Sequence, residues 1–282
     1  QYPKNNIPVT HKVISEHSRY SVHHYSFEST LDLVTTNAKK HDLHMEVYEP
    51  KPAQGSTPAI LLLPISGGDY VICRYFARFY SREGWTAVIL KRRKMYKKLL
   101  EVNKLNLLLQ QTIIDHKQII DWLETRSDID SSKIAVLGVS QGGLKTAVIA
   151  AAEPRVKASV IALAGGDLPH ILAYSEENGV VKRRNRFLKK EQIELKDFEA
   201  TLYNQLTFDP LRLAPYINGS TTLHILAYFD KCVPYNCGLK LYDALPGAEK
   251  ITLPTGHYSA MLTLPYISYK SLKFINKKLN IK

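Results

Sequence analysis

The eleven residues 133–143, Lys-Ile-Ala-Val-Leu-Gly-Val-Ser-Gln-Gly-Gly, constrain the fold of this chain more than any other stretch. A short apolar run, Ile134–Leu137, leads straight into Gly138-Val139-Ser140-Gln141-Gly142, and the helix-compatible run Leu144–Ala152 follows. The pattern is strand, sharp turn, helix, with a serine at the apex. A side chain two residues to either side would collide where the strand turns back on the helix, so glycine stands at both places. The turn projects the serine hydroxyl out of the sheet, the arrangement of a nucleophile elbow. The plainer reading is a glycine-rich turn that binds an anion at a helix N-terminus.

Strand and helix signals alternate around this turn. The continuous apolar run Ala59–Leu63 predicts a strand buried on both faces, Trp85–Leu90 a further buried strand, and Val156–Leu163, Thr222–Phe229 and the short Glu249–Leu253 three more strands. Helical patterns fall at Tyr75–Glu83, closed by Gly84, at Leu107–Thr125, and at Tyr258–Leu279 with a kink at Pro265. The predicted fold class is α/β: a mostly parallel central sheet covered by helices on both faces. Residues 167–215 break the rhythm. They are polar, helix-prone and highly charged, and predict an inserted helical cap. Residues 1–30 predict an N-terminal arm and 31–282 the main domain. That domain opens with a hairpin of Leu31–Thr36 and Leu43–Glu49 turning at Asn37–Lys40.

Composition bounds the function classes. Over 282 residues, 45% apolar and 23% charged describe a globular chain with room for a large core and no need of a metal or disulfide staple. No apolar run approaches the roughly 18 residues that span a bilayer. The net charge of +12 favours anionic substrates, acidic surfaces or non-specific contact with nucleic acid. No recognised nucleic-acid module accompanies it, so nucleic acid is not an expected partner. Two basic runs, Lys91–Lys98 and Lys182–Lys190, either rim a binding mouth, attracting an anionic substrate or an acidic membrane surface, or are solvated loops. His23-His24 lacks partners at ligand spacing and reads as exposed or capping histidines rather than a metal site. No cofactor or metal is expected. Cys232 and Cys237 bridge only if the loop between them bends; Cys73 has no sequence neighbour. The chain starts at Gln1 rather than Met, which leaves cytoplasmic and exported locations both open.

Serine needs a base within hydrogen-bond reach, and the base needs a carboxylate to orient it. Ser140, Asp230 and His257 each follow their own predicted strand, at the carboxyl edge where ligands bind in such sheets. Asp209 and Asp243 are rival acids, read respectively as a helix N-cap and a surface helix residue. Through Gly138-Val139-Ser140-Gln141-Gly142-Gly143, Phe229-Asp230-Lys231-Cys232-Val233-Pro234 and Gly256-His257, the chain resembles the α/β-hydrolase family. It is most similar to the dienelactone-hydrolase-like and serine esterase branches, over about residues 31–282 without the cap. Asp209-Pro210-Leu211 is a further similarity. Dienelactone hydrolases carry a cysteine nucleophile. Ser140 in that place implies an esterase-type reaction on a small-molecule ester, with thioesters and peptides served by the same triad.

The resemblance also implies an oxyanion hole. One donor is the N–H of Gln141, the residue after the nucleophile. The second comes from the loop after the Ala59–Leu63 strand. Many members carry His-Gly there and this chain has Pro64-Ile65, so by position the donor is Ser66, with Ile65 or Gly67 as alternatives. That departure keeps open a different class of function, a non-catalytic binding protein on the same fold.

Overall fold

The computed structural model describes residues 9–34, 41–52, 55–65, 67–93 and 102–281. Nine strands form one sheet: β1 (Thr10–Glu16), β2 (Tyr20–Glu28), β3 (Asp42–Pro50), β4 (Thr57–Leu63), β5 (Thr86–Leu90), β6 (Ile129–Val139), β7 (Val156–Ala162), β8 (Thr222–Ala227) and β9 (Glu249–Leu253). Their spatial order is β1-β2-β3-β5-β4-β6-β7-β8-β9. The β1–β2, β2–β3 and β3–β5 pairs are antiparallel, and every pair from β5–β4 through β8–β9 is parallel.

The helices are α1 (Val71–Arg82), α2 (Val102–Glu124), α3 (Gln141–Ala152), α4 (Leu168–Tyr174), α5 (Asn178–Glu191), α6 (Leu195–Gln205), α7 (Pro210–Leu213), α8 (Tyr235–Asp243) and α9 (Leu264–Lys278). Alternate residues of the central strands feed two cores. Ile60 and Leu62 of β4 pack with Phe76 and Tyr80 of α1 and with Ile267 and Phe274 of α9. Ala59, Leu61 and Leu63 face the other way, towards Ile119, Ile120 and Leu123 of α2. A strand buried on both faces has no polar side, which is why β4 reads as one unbroken apolar run. The predicted sheet with helices on both faces is the observed one.

Three local expectations differ. Residues 10–28, predicted as part of an arm, are strands β1 and β2, and β2 pairs with β3 along its whole length from Tyr20–Pro50 to Glu28–Asp42. Its polar positions hid it, yet Tyr20, Val22 and Phe27 are core residues. The hairpin partner of β3 is therefore β2 and not the 31–36 segment, whose residues 35–40 lie outside those described. Leu31–Val34 is not strand. Side chains of α2 hold it: Gln118 Oε1 accepts from Thr30 N at 2.8 Å, and Gln111 Oε1 accepts from Leu33 N at 2.6 Å. Pro265 starts α9 rather than kinking a longer helix, since proline lacks an N–H where the first turn needs none. The preceding residues, Ser259–Thr263, form a 3-10 turn.

β4 lies between β5 and β6, with the chain winding outward on either side, so the strand order reverses there. Crevices beyond the carboxyl ends of strands at such a reversal are where ligands bind in open α/β sheets. β6 ends at Val139, immediately before Ser140.

Candidate active site

Ser140 sits between β6 and α3 with φ 56° and ψ −123°, a conformation L-residues rarely adopt. Its backbone is held on both sides: Ser140 N donates to Ala162 O at 2.8 Å, and Leu144 N donates to Ser140 O at 3.1 Å. The glycines around it have steric causes. A Cβ on Gly138 would lie 2.2 Å from the Gly142 carbonyl, and one on Gly142 would lie 2.2 Å from Leu63 O at the end of β4. The tight turn is thus packed directly against the neighbouring strand.

The predicted Ser140, His257 and Asp230 come together. His257 Nε2 lies 2.9 Å from Ser140 Oγ, and His257 Nδ1 lies 2.6 Å from Asp230 Oδ2. The other carboxylate oxygen, Oδ1, accepts from the backbone N–H groups of Cys232 and Val233, each at 2.8 Å. Asp230 is therefore buried, 7% exposed, with both oxygens engaged. Since a carboxylate accepts at Nδ1–H, the Nε2 lone pair faces the serine hydroxyl. The two loops that carry the pair are tied to each other: Tyr228 N donates to Leu253 O and Phe229 N to Thr255 O, both at 2.9 Å. Gly256 N donates to Ser259 Oγ at 3.0 Å, which closes the histidine loop.

Gln141 is the first residue of α3. Its N–H belongs to the helix's opening turn, where backbone donors have no partner within the helix and carry the positive end of the dipole. Ser66 lies outside the described residues. Its flanks, however, are held by Arg92, whose guanidinium donates to Ile65 O at 2.8 Å and to the carbonyls of Gly67 and Gly68. Arg92 also lies over the Tyr70 ring, 4.8 Å from its centroid.

The rival acids have other work. Asp209 Oδ1 accepts from Leu211 N at 3.0 Å as the N-cap of α7, and Asp243 is exposed at the end of α8. Cys73, Cys232 and Cys237 are free and buried, so the Cys232–Cys237 bridge is not formed. Among the described residues one group has metal-ligating atoms in mutual reach, Asp230, Cys232 and His257, within 4.8 Å. The Asp230 lone pairs in it are already directed at His257 and two amides, so a cation there competes with the histidine for its partner. His23, expected as exposed, is a buried residue of β2 bonded to Ser21 Oγ at 2.7 Å and to His11 at 2.8 Å.

A cavity of about 180 Å³ opens beside Ser140. From α3, Gln141, Leu144, Lys145 and Val148 face it, a spacing of three and four residues that puts all of them on one side of a helix. Lys145 is the residue sequence reasoning missed. It is 5% exposed, borders this cavity and a smaller polar one beside Asp115 and His116, and burial, aided by Arg92, pushes its ammonium down to about 7. Its signal was a lone charge in the apolar run Leu144–Ala152. Of the two basic runs, Arg183 and Arg184 border the cavity, while Lys189 and Lys190 are exposed. Lys91 pairs with Glu46 and Arg93 with Asp115 and Asp32, so these two serve the fold; Lys94–Lys98 lie outside the described residues.

A family model described as X-Pro dipeptidyl-peptidase (S15 family) matches residues 100–205, less than half of the chain. No curated protein matches. Acetyl xylan esterase 1 from Thermoanaerobacterium sp. is 18% identical and superposes with a TM-score of 0.66, covering 97% of this chain and 89% of that one. An acetyl xylan esterase from Paenibacillus sp. R4 is 16% identical with a TM-score of 0.74 and the same coverages, 97% and 89%. A putative dienelactone hydrolase from Klebsiella pneumoniae is 14% identical with a TM-score of 0.58, covering 92% of this chain and 99% of that one. The chain has the α/β-hydrolase fold. No helix among the described residues is long and apolar enough to cross a membrane.

Proposed function

We propose that this protein is a serine hydrolase that cleaves a carboxylic ester of a small molecule through an acyl-enzyme. The observation that carries the reading is the unbroken line from Ser140 Oγ through His257 to Asp230, at 2.9 Å and 2.6 Å, set where the strand order reverses. Ser140 Oγ attacks the ester carbonyl while His257 Nε2 takes its proton. Asp230 keeps the proton on Nδ1 and balances the imidazolium. The Gln141 N–H and a second donor from the Pro64–Gly68 loop, by position Ser66 N–H, receive the oxyanion, each supplying about 3 kcal/mol of transition-state stabilisation. His257 then returns the proton to the leaving alcohol, and a water activated the same way releases the acid. Helices α4 to α6, in the 167–215 stretch, act as a cap over the reacting carbonyl.

A second reading has a specific observation in its favour. The matched family model is described as a dipeptidyl-peptidase, and an amide differs from an ester only in the leaving group that His257 must protonate. A fluorophosphonate probe, run beside p-nitrophenyl esters and an X-Pro p-nitroanilide, separates the possibilities. The expected result is labelling and ester turnover, both lost in Ser140→Ala with the fold intact. Labelling with anilide turnover alone favours the peptidase, and a folded protein that is never labelled would return the chain to the non-catalytic class.

A further inference from the structure

The cavity beside Ser140 carries information about the substrate that the triad does not. Six of the side chains lining it are Leu108 and Leu109 of α2, Leu144 and Val148 of α3, Ile171 of α4 and Leu202 of α6, and Lys145, Glu177, Arg183 and Arg184 also border it. All six are aliphatic, and Val148 is fully buried. Ser140 and Gln141 form its inner edge, whereas His257 and Asp230 do not border it. In an ester cleaved at Ser140, the leaving oxygen must lie next to the ring nitrogen that protonates it, which is on the His257 side. The half of the substrate that enters the cavity is then the other half, the acyl chain. Polar groups on the helical side are already engaged: Ser175 Oγ donates to Cys232 O at 2.6 Å, Glu177 accepts from Val180 N at 2.7 Å, and Arg184 donates to the carbonyls of Leu172 and Ser175.

We infer that the substrate carries an unbranched or aromatic apolar acyl group of about six to eight carbons rather than an acetyl group. The size follows from volume. An apolar void of about 150 Å³ takes up one benzene, and this one is about 180 Å³. An acetyl group leaves most of that lining against water, so its transition state gains nothing from these walls. Each methylene buried there raises kcat/KM by about fourfold until the space is full. The inference rests on the ester-hydrolase reading for its kinetic form, and on the cavity alone for binding.

The experiment is a chain-length series of p-nitrophenyl esters, from acetate through hexanoate and octanoate to dodecanoate, with two variants at Leu172. That residue is half-buried in α4 and borders the cavity, so large and small side chains can both be tried. The whole protein is expected to prefer hexanoate over acetate by about 250-fold in kcat/KM, four methylenes at about fourfold each, and to lose activity again by dodecanoate. Leu172→Trp should reduce the hexanoate-to-acetate ratio at least tenfold, and Leu172→Ala should move the optimum to a longer chain. Acetate as the best substrate, or a ratio untouched by both variants, overturns the assignment. Calorimetric titration with sodium hexanoate and sodium acetate keeps the cavity and the chemistry apart. Hexanoate binding that Leu172→Trp abolishes, in a protein that cleaves no ester, keeps the apolar acid site and removes the hydrolase reading. Ester cleavage at Ser140 without preferential hexanoate binding or chain-length preference keeps the hydrolase and removes the acyl site.

Discussion

At the scale of single residues, Asp230 is the position where geometry makes the sharpest demand. Its Oδ1 takes two backbone N–H groups and its Oδ2 takes His257 Nδ1–H. In Asp230→Asn the amide oxygen retains the two backbone donors, which turns the amide NH₂ towards the imidazole. The ring must then accept at Nδ1 and carry its proton on Nε2, where it can no longer receive one from Ser140. The expected outcome is a loss in kcat of about 10⁴-fold with an unchanged thermal midpoint, read by burst kinetics and circular dichroism on one preparation. A merely structural Asp230 would show the reverse, a lower midpoint with proportionate activity. Two buried histidines predict the acid behaviour. His224 and His116 are pushed down to about 4 by burial, and each donates one ring N–H to a backbone carbonyl, Ala164 O and Thr112 O. Unfolded, each has a pKa of roughly 6.5. The unfolded chain therefore binds the extra protons first, and stability is lost as pH falls from about 6.5 to about 4. The slope reaches roughly 3 kcal/mol per pH unit for the pair. Urea midpoints measured across that window should fall steeply, and less so in a His116→Gln, His224→Gln variant that keeps a donor at each place.

At the scale of elements, the turn between β6 and α3 couples packing to chemistry. α3 can approach β4 only because Gly142 has no side chain, its missing Cβ lying where Leu63 O stands. Gly142→Ala must push the helix start away from β4. That costs about 1–3 kcal/mol in overpacking and displaces Gln141 N–H relative to Ser140. The paired expectation is a lower urea midpoint together with a fall in kcat larger than in KM, because the oxyanion is bound more tightly than the ground-state carbonyl. A destabilised variant with unchanged kcat would separate the helix start from the oxyanion. α2 joins two regions of the molecule. Its later residues Ile119, Ile120 and Leu123 cover the sheet, while Leu108 and Leu109 reach the cavity, and Asn106 ties it to the helical insert by donating to Gln205 O at 2.7 Å.

At the scale of the whole molecule, the site exists because distant segments share one edge of one sheet. Ser140 and His257 are separated by 117 residues and meet through two strand ends on the same side. The parallel part of the sheet, β4 to β9 with β5, fixes this edge, since parallel strands all end on one side. The antiparallel strands β1 to β3 widen the sheet away from the site. The helical insert has its own apolar cluster, in which Phe198, Leu202 and Leu206 pack with Leu109 of α2 and with Cys237 of α8. Asp167 secures it from the other side, accepting from Tyr203 of α6 and from Lys240 of α8. The cavity is the space enclosed between the helices of this insert and α2 and α3.

Much of this was legible in order along the chain. Parallel strands buried on both faces write themselves as apolar runs, and the elbow writes its steric needs as glycines, so β4, β5, the later half of β6, β7 and β8 and the positions of Ser140, Asp230 and His257 could be read directly. Such signals are local: they depend on a few neighbours and a period. Strand β2 escaped because its burial depends on pairing with β3 and on which face meets a core, with Ser21 and His23 satisfied by other polar groups rather than by solvent. The same holds for residues 29–33, which are fixed by glutamines some 80 residues away. The cavity beside Ser140 is the extreme case. Leu108, Val148 and Leu202 look like ordinary core leucines and valines, because an apolar side chain is the same whether it meets another side chain or a void. Only the tertiary arrangement of α2, α3 and the insert leaves that space unfilled beside Ser140, since volume is a property of the packed whole and not of any segment.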